Sequence, residues 1–172
     1  METAIVSLIC IGVILSGGMI LAQSAIVSAD HIFDNWKIME KGITDNVNTI
    51  ISATGVVDNG VAGLEVNVRN TGQRALGKFS DWDVIVQYYS APGNINIKRL
   101  TYTTGTSPGN DEWAVNTIQW NGAAEVYQIN ILDPLEDMKL QVKPNPGVGS
   151  GETIFIRIST NNGVTTSIQY TK

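Results

Sequence analysis

Residues Ala4 to Ala29 form a run of twenty-six without a single charge. Ser7, Ser16, Gln23, Ser24 and Ser28 are its only polar interruptions. At about 1.5 Å per helical residue the run is roughly 39 Å long, more than a bilayer core of about 30 Å. A soluble domain has no place for such a segment. It must sit in lipid or be covered by other chains. The residues after Asp30 therefore read as cargo carried on a helix.

The run mixes large aliphatics with small residues. Gly12 and Ser16, Gly18 and Ala22, and Ala25 and Ala29 are each four apart. That spacing puts small residues on one helix face and lets helices approach closely. Gly17-Gly18 costs about 1 kcal/mol per glycine relative to alanine and predicts a weakened or bent helix there. Glu2 would sit favourably at the positive end of the helix dipole. A plain membrane anchor is the bland reading of the same residues. Self-packing is the sharper one, with Ile5, Leu8, Ile9, Gly12, Ile14, Leu15, Ser16, Gly18, Ile20, Leu21, Ala22, Ala25 and Ile26 as the packing surface. No basic residue precedes the run, so the chain is read as one whose short leader has been removed.

From Asp30 the helix turns amphipathic. Ile32, Phe33, Trp36, Met39 and Ile43 recur at three- and four-residue steps, with Asp34, Lys37, Glu40 and Lys41 opposite them. Phe33 and Trp36 extend the packing surface, against the following domain or a neighbour. The helix is expected to end between Gly42 and Asn48. The division expected is a helix over residues 1–45 and a head over residues 46–172, about the size of one ordinary domain.

In the head the period becomes two. Leu64, Val66 and Val68 alternate with Glu65, Asn67 and Arg69, which predicts a half-buried strand. Trp82, Val84, Val86 and Tyr88 alternate in the same way. Strands are also expected at residues 50–57, 94–103, 113–120, 125–130, 138–142, 153–159 and 164–170. Turns fall at Asp58-Asn59-Gly60, Asn70-Thr71-Gly72 and Ala91-Pro92-Gly93, and Asn161-Asn162-Gly163 reads as a hairpin. The fold class expected is α+β: a long hydrophobic helix, then an antiparallel all-β sandwich or barrel. Its core would draw on Leu64, Val66, Val68, Trp82, Val84, Val86, Ile154, Ile156, Ile158 and Ile168.

Chemistry is scarce. Eleven basic residues against sixteen acidic ones give a formal charge of −5, and no basic block exists to bind nucleic acid. One cysteine, Cys10, and one histidine, His31, rule out Cys/His metal clusters and an intrachain disulfide. Gly147-x-Gly149-x-Gly151 precedes a strand and has no following lysine, so it is no phosphate loop. Asp133, Glu136 and Asp137 are weak metal candidates without EF-hand spacing. No catalytic residues and no cofactor are assigned, and enzymatic activity is not expected. There is no Asn-x-Ser/Thr sequon.

The order of parts resembles the type IV pilin superfamily, and within it the archaellins, the subunits of the archaeal flagellum. Leu64-Glu-Val-Asn-Val-Arg-Asn-Thr-Gly72 followed by Phe79-Ser-Asp-Trp-Asp-Val-Ile-Val86 is similar to the strand, turn and strand of archaellin and accessory heads. Residues 152–170 are similar to their ending. Bacterial type IV pilins carry a glutamate at mature position 5. Here the residue is Ile5, which favours archaellin. The resemblance implies an immunoglobulin-like head and a homopolymeric surface filament for swimming, inserted in the membrane before assembly. It also implies processing by a class III signal peptidase and an ATP-driven platform or motor. The alternatives are a membrane-anchored accessory or stator protein and an adhesive pilin. A membrane-anchored enzyme would need a clustered site that the sequence lacks.

Overall fold

The computed structural model describes residues 2–60, 63–91 and 93–172. The Glu2 side chain and Pro92, on which two of the sequence expectations rest, lie outside the described residues. The chain divides into two compact units, Met1–Ile43 and Thr44–Lys172.

The first unit is helix. Helix α1 runs from Glu2 to Val47 without interruption, so its last residues belong to the second unit. Neither Gly17-Gly18 nor Gly42 ends it. A single glycine costs about 1 kcal/mol, and a helix of forty-six residues carries that cost locally. The amphipathic stripe of Phe33, Trp36, Met39 and Ile43 is exposed.

The second unit is a nearly closed β-barrel. Its strands are β1 (Ile51–Asp58), β2 (Leu64–Asn70), β3 (Asp83–Ala91), β4 (Asn94–Tyr102), β5 (Glu112–Trp120), β6 (Ala123–Ala124), β7 (Asp137–Lys143), β8 (Thr153–Ser159) and β9 (Thr165–Thr171). The hydrogen-bonded order is β1-β2-β7-β5-β4-β3-β8-β9, with β6 on β5. The two ends of this path come together where the Ala53 N–H donates to Thr166 Oγ1 at 3.2 Å.

Strand alternation decides what fills the barrel. Val66, Val68, Val84, Val86, Ile154, Ile156 and Ile158 are fully buried, as their period-two spacing predicts. They are joined by Trp113, Leu132, Met138, Leu140 and Val142. Ile168 is only partly buried, because β9 ends the hydrogen-bonded path and pairs with β8 alone. Trp82 is buried but stands before β3, closing a 3-10 turn at Phe79–Asp81. Its ring meets Phe79 edge-on, with centroids 5.3 Å apart.

Three expectations need correction. The pairing is not wholly antiparallel: β4 and β5 run parallel through Thr101–Glu112 and Tyr102–Trp113. Residues 125–130 form no strand. Asn121 and Gly122, both at positive φ, make a tight turn after β5, and only Ala123–Ala124 pair back. Glu65 is buried, not solvated, because Lys139 pairs with it at 3.0 Å and Asn116 donates to it at 3.2 Å. The Asn70-Thr71-Gly72 turn leads away from β2 without forming a β2–β3 hairpin. The chain crosses to the other side of the barrel, and β2 pairs with β1 and β7.

Gly72 has a tertiary reason. The Thr71 and Gly72 N–H groups donate to the Ile50 carbonyl, and the Gln73 N–H donates to the Asn48 carbonyl. A Cβ at Gly72 would lie 2.5 Å from the Asn48 oxygen and 2.6 Å from the Ile50 nitrogen. The glycine lets the segment leaving α1 lie against this turn.

The Asn161-Asn162-Gly163 hairpin joins β8 to β9 as expected, with the Gly163 N–H donating to the Thr160 carbonyl. It also grips the end of α1. The Asn162 side-chain amide donates to Thr49 Oγ1 at 2.8 Å and to the Asp45 carbonyl at 3.3 Å. Arg74 pairs with the Asp45 carboxylate. These contacts all lie within Thr44–Lys172.

Candidate functional site

The largest uncovered apolar surface among the described residues is on α1. Among its described residues, Ile5, Leu8, Ile9, Ile14, Leu15, Ile20, Leu21, Ile26, Phe33 and Trp36 are all exposed. Gly12 and Gly18 have open space where a side chain would begin. Ser16, Ala22 and Ala25 are exposed as well. By length and composition the helix can cross a membrane, and none of its apolar window is buried within the chain.

Helix geometry sorts the small residues. At about 100° per residue, the steps Gly18, Ala22, Ala25 and Ala29 return to nearly the same direction. They make one flat strip about 16 Å long. Gly12 and Ser16 start a different face. The serines also matter. Ser7, Ser16, Ser24 and Ser28 each donate their hydroxyl to a carbonyl three or four residues earlier, at 2.8–3.0 Å. Their donors are used inside the helix, which lowers the cost of moving it into an apolar surrounding. Cys10 is an exposed free thiol on this helix, and His31 is exposed too.

The acidic candidates regroup in space. Asp133 and Glu136 come together with Glu125, and one carboxylate oxygen from each lies within 4.8 Å of the others. Asp137 does not join them. It starts β7 and faces Arg69 at 3.8 Å. Glu125 was missed because it falls in a segment that reads as a strand, eight residues before Asp133. Nothing local links them. The segment is tied at one end by the Glu125 N–H to the Ile118 carbonyl and at the other by the Leu76–Leu132 bridge.

Glu136 is only 4 % exposed and accepts the Asp133 N–H at 2.7 Å. Glu125 accepts the Gln128 N–H through Oε1, while its Oε2 is buried without a hydrogen-bond partner. Three carboxylates are a donor set that suits a hard divalent cation. Carboxylates this close also share protons. Burial first, then the neighbouring Glu125 and Asp133, pushes the Glu136 pKa above its usual value, against the lowering by the Asp133 N–H. The folded head therefore holds this proton more tightly than the unfolded chain. Its contribution to stability is full below the unfolded value and is lost as pH rises through the folded one. Glu136→Gln should accordingly raise head stability at pH 7.5 and leave it unchanged near pH 3. Urea unfolding at the two pH values checks this; an equal gain at both would reject it.

A second polar group ties the β4–β5 loop to the β7–β8 loop. Asp111, at positive φ, accepts from Lys98 at 2.7 Å and from the Asn145 N–H at 2.8 Å. Burial works to raise the Asp111 pKa, but the Lys98 and Asn145 hydrogen bonds and the Lys98 charge hold it below the usual range. Tyr88 donates to the Pro146 carbonyl at 2.7 Å, and burial, aided by Asp111, pushes its pKa up to about 12. This anchors the glycine-rich stretch after Pro146. Its Gly149 N–H donates to Tyr89, on the way to β8.

No protein-family model and no curated protein matches the sequence. Solved structures do match. The archaellum periplasmic stator protein FlaG from Sulfolobus acidocaldarius is 18% identical, over 71% of this chain and 99% of that one, with a TM-score of 0.51. The archaeal flagellin FlaB1 from Methanocaldococcus jannaschii is 12% identical, over 72% and 90%, with a TM-score of 0.50. The archaeal flagellum of Methanospirillum hungatei strain JF1 is 13% identical, over 93% and 90%, with a TM-score of 0.50. The fold is archaellin-like. The last of these matches covers more of the chain than the head alone can supply, so the likeness takes in helix and barrel together. An archaellin-like head of this kind carries its strands around the buried core described above, and the apolar helix precedes it.

Proposed function

We propose that this chain is the structural subunit of an archaellum-type surface filament, polymerising through α1. The observation that carries the reading is the exposure of the helix. A folded head with its own core is joined to a run of twenty-six uncharged residues whose apolar window is not buried within the chain. Identical neighbours can cover them. The division of labour is a helix over residues 1–45 and a head over residues 46–172, the helices forming the filament core and the heads its wall. Before assembly the helix sits in the membrane, processed by a class III signal peptidase and handed on by an ATP-driven platform. The assembled filament stands outside the cell.

Helix packing in such a core runs on close approach at small residues. We assign that approach to the Gly18, Ala22, Ala25, Ala29 strip. Gly18→Trp puts a large side chain into it without touching the head. Filament yield should fall at least about tenfold, equivalent to ~1.4 kcal/mol per subunit. Negative-stain imaging and the circular dichroism of the β head read the two effects separately. Normal fibres from this variant would count against the strip.

The stator-like alternative keeps one specific support, the likeness of the head to FlaG. Purified material separates the two. A filament subunit gives long fibres of constant width, and a stator gives detergent-soluble particles.

A further inference from the structure

The outer surface of the head carries two apolar areas of opposite charge. On the sheet, β3, β4 and β8 align Ile85, Ile97, Tyr89 and Phe155 on one face: Gln87 lies between Ile97 and Phe155, and Ile85 between Arg99 and Arg157. These four apolar residues are exposed, Ile97 by 66%. The row that borders them is cationic. Arg157 makes no ion pair among the described residues, and Arg99 is balanced by Asp83. The second area is the lobe at 120–136. It exposes Trp120, Val126, Tyr127 and Ile129, with Tyr127 at 92%. The lobe after Trp120 contains Glu125, Asp133 and Glu136 and no lysine or arginine.

Large aromatic and aliphatic groups held this far into water, where the fold could have turned them inward, mark contact surfaces. We propose that the β3-β4-β8 face of one head docks on the 120–136 lobe of a second copy of this chain. Charge decides the pairing. Face against face would oppose Arg157 to Arg157, and lobe against lobe would oppose the half-buried Glu125 and Asp133 to their own copies. Face against lobe brings the free arginine to the acidic segment. The contact is heterologous, so it leaves a free face at one end and a free lobe at the other, and it propagates. It rests on the filament reading in taking identical chains as neighbours, and it gives the heads a bond of their own beside the helix core.

The test uses the full chain with Cys10→Ser, assembled from membranes. Ile97→Cys and Tyr127→Cys are introduced together and treated with a short bis-maleimide. Both positions are exposed, so folding is spared. A ladder of covalent multimers is expected on a denaturing gel, with none from either single-cysteine variant. Arg157→Glu alone and Asp133→Lys alone should each weaken the ladder about tenfold, and the double variant should restore it. Imaging of the same samples separates the two readings. Fibres without a ladder overturn the head contact and leave the helix-driven filament standing. A ladder without fibres supports the contact and overturns the filament. Neither result overturns both. Dimers from Ile97→Cys alone, adducts to another envelope protein, or a double variant no better than the singles would each overturn the contact.

Discussion

Removal of Met1–Ala29 should yield a soluble, folded head that never forms filaments. The unit Thr44–Lys172 has its own core, from Leu64 on β2 to Ile158 on β8, and that core draws nothing from the deleted segment. The proposed polymer, by contrast, rests on that segment. Covering some twenty-six mostly apolar residues among neighbours removes well over about 1,000 Å² per chain from water. At about 25 cal/mol per Å² this is tens of kcal/mol before ordering costs, far more than a surface contact between heads supplies. Loss of assembly should therefore be complete rather than graded. Sedimentation at micromolar concentration should give a monomer, and imaging should show no fibres. Fibres from the truncated chain would mean that the heads alone polymerise and that the helix is only an anchor.

The second large effect is expected inside the barrel. Trp113→Ala should destabilise the head by about 3–5 kcal/mol. Trp113 is completely buried at the point where β4 and β5 meet in parallel, and its ring lies 4.8 Å from that of Tyr102. The two-residue parallel pairing offers few ladder bonds, so side-chain packing carries this junction. A loss of that size is a large share of a typical domain stability of about 5–15 kcal/mol. Trp113→Phe keeps an aromatic ring and removes an indole N–H that is buried without a partner. It should cost less than about 1.5 kcal/mol. Urea unfolding of the truncated head measures both. An alanine variant within about 1 kcal/mol of the parent would show that the barrel does not depend on this closure.

The two cases show different routes from residues to structure. The helix was legible because its signal is local and continuous: twenty-six uncharged residues and then a three-four stripe admit one conformation. The strands at Leu64, Val84 and Ile154 were legible for the same reason, since alternation with period two is a property of neighbours in the chain. The failures have the opposite character. Residues 125–130 carry β-prone side chains, yet Asn121-Gly122 reverses the chain just before them, and beyond the Glu125 N–H to Ile118 carbonyl bond they find no strand to pair with. Glu65 looked solvated because its neighbours in sequence say nothing of Lys139. Asp137 seemed to belong with Asp133 and Glu136, but the strand that begins there carries it to Arg69.

By itself, then, the order of residues determined a long apolar helix, a β head, their sequence along the chain and the need for lipid or other chains around that helix. Those follow from periodicity and from the cost of leaving apolar surface in water. Only the tertiary structure decided that β2 lies beside β7, that β4 meets β5 in parallel, that Gly72 must be bare to pass Asn48 and Ile50, and that Glu125 completes the acidic cluster. Each of these joins residues far apart in the chain, and such meetings depend on how the whole barrel closes around its core, which no local pattern encodes.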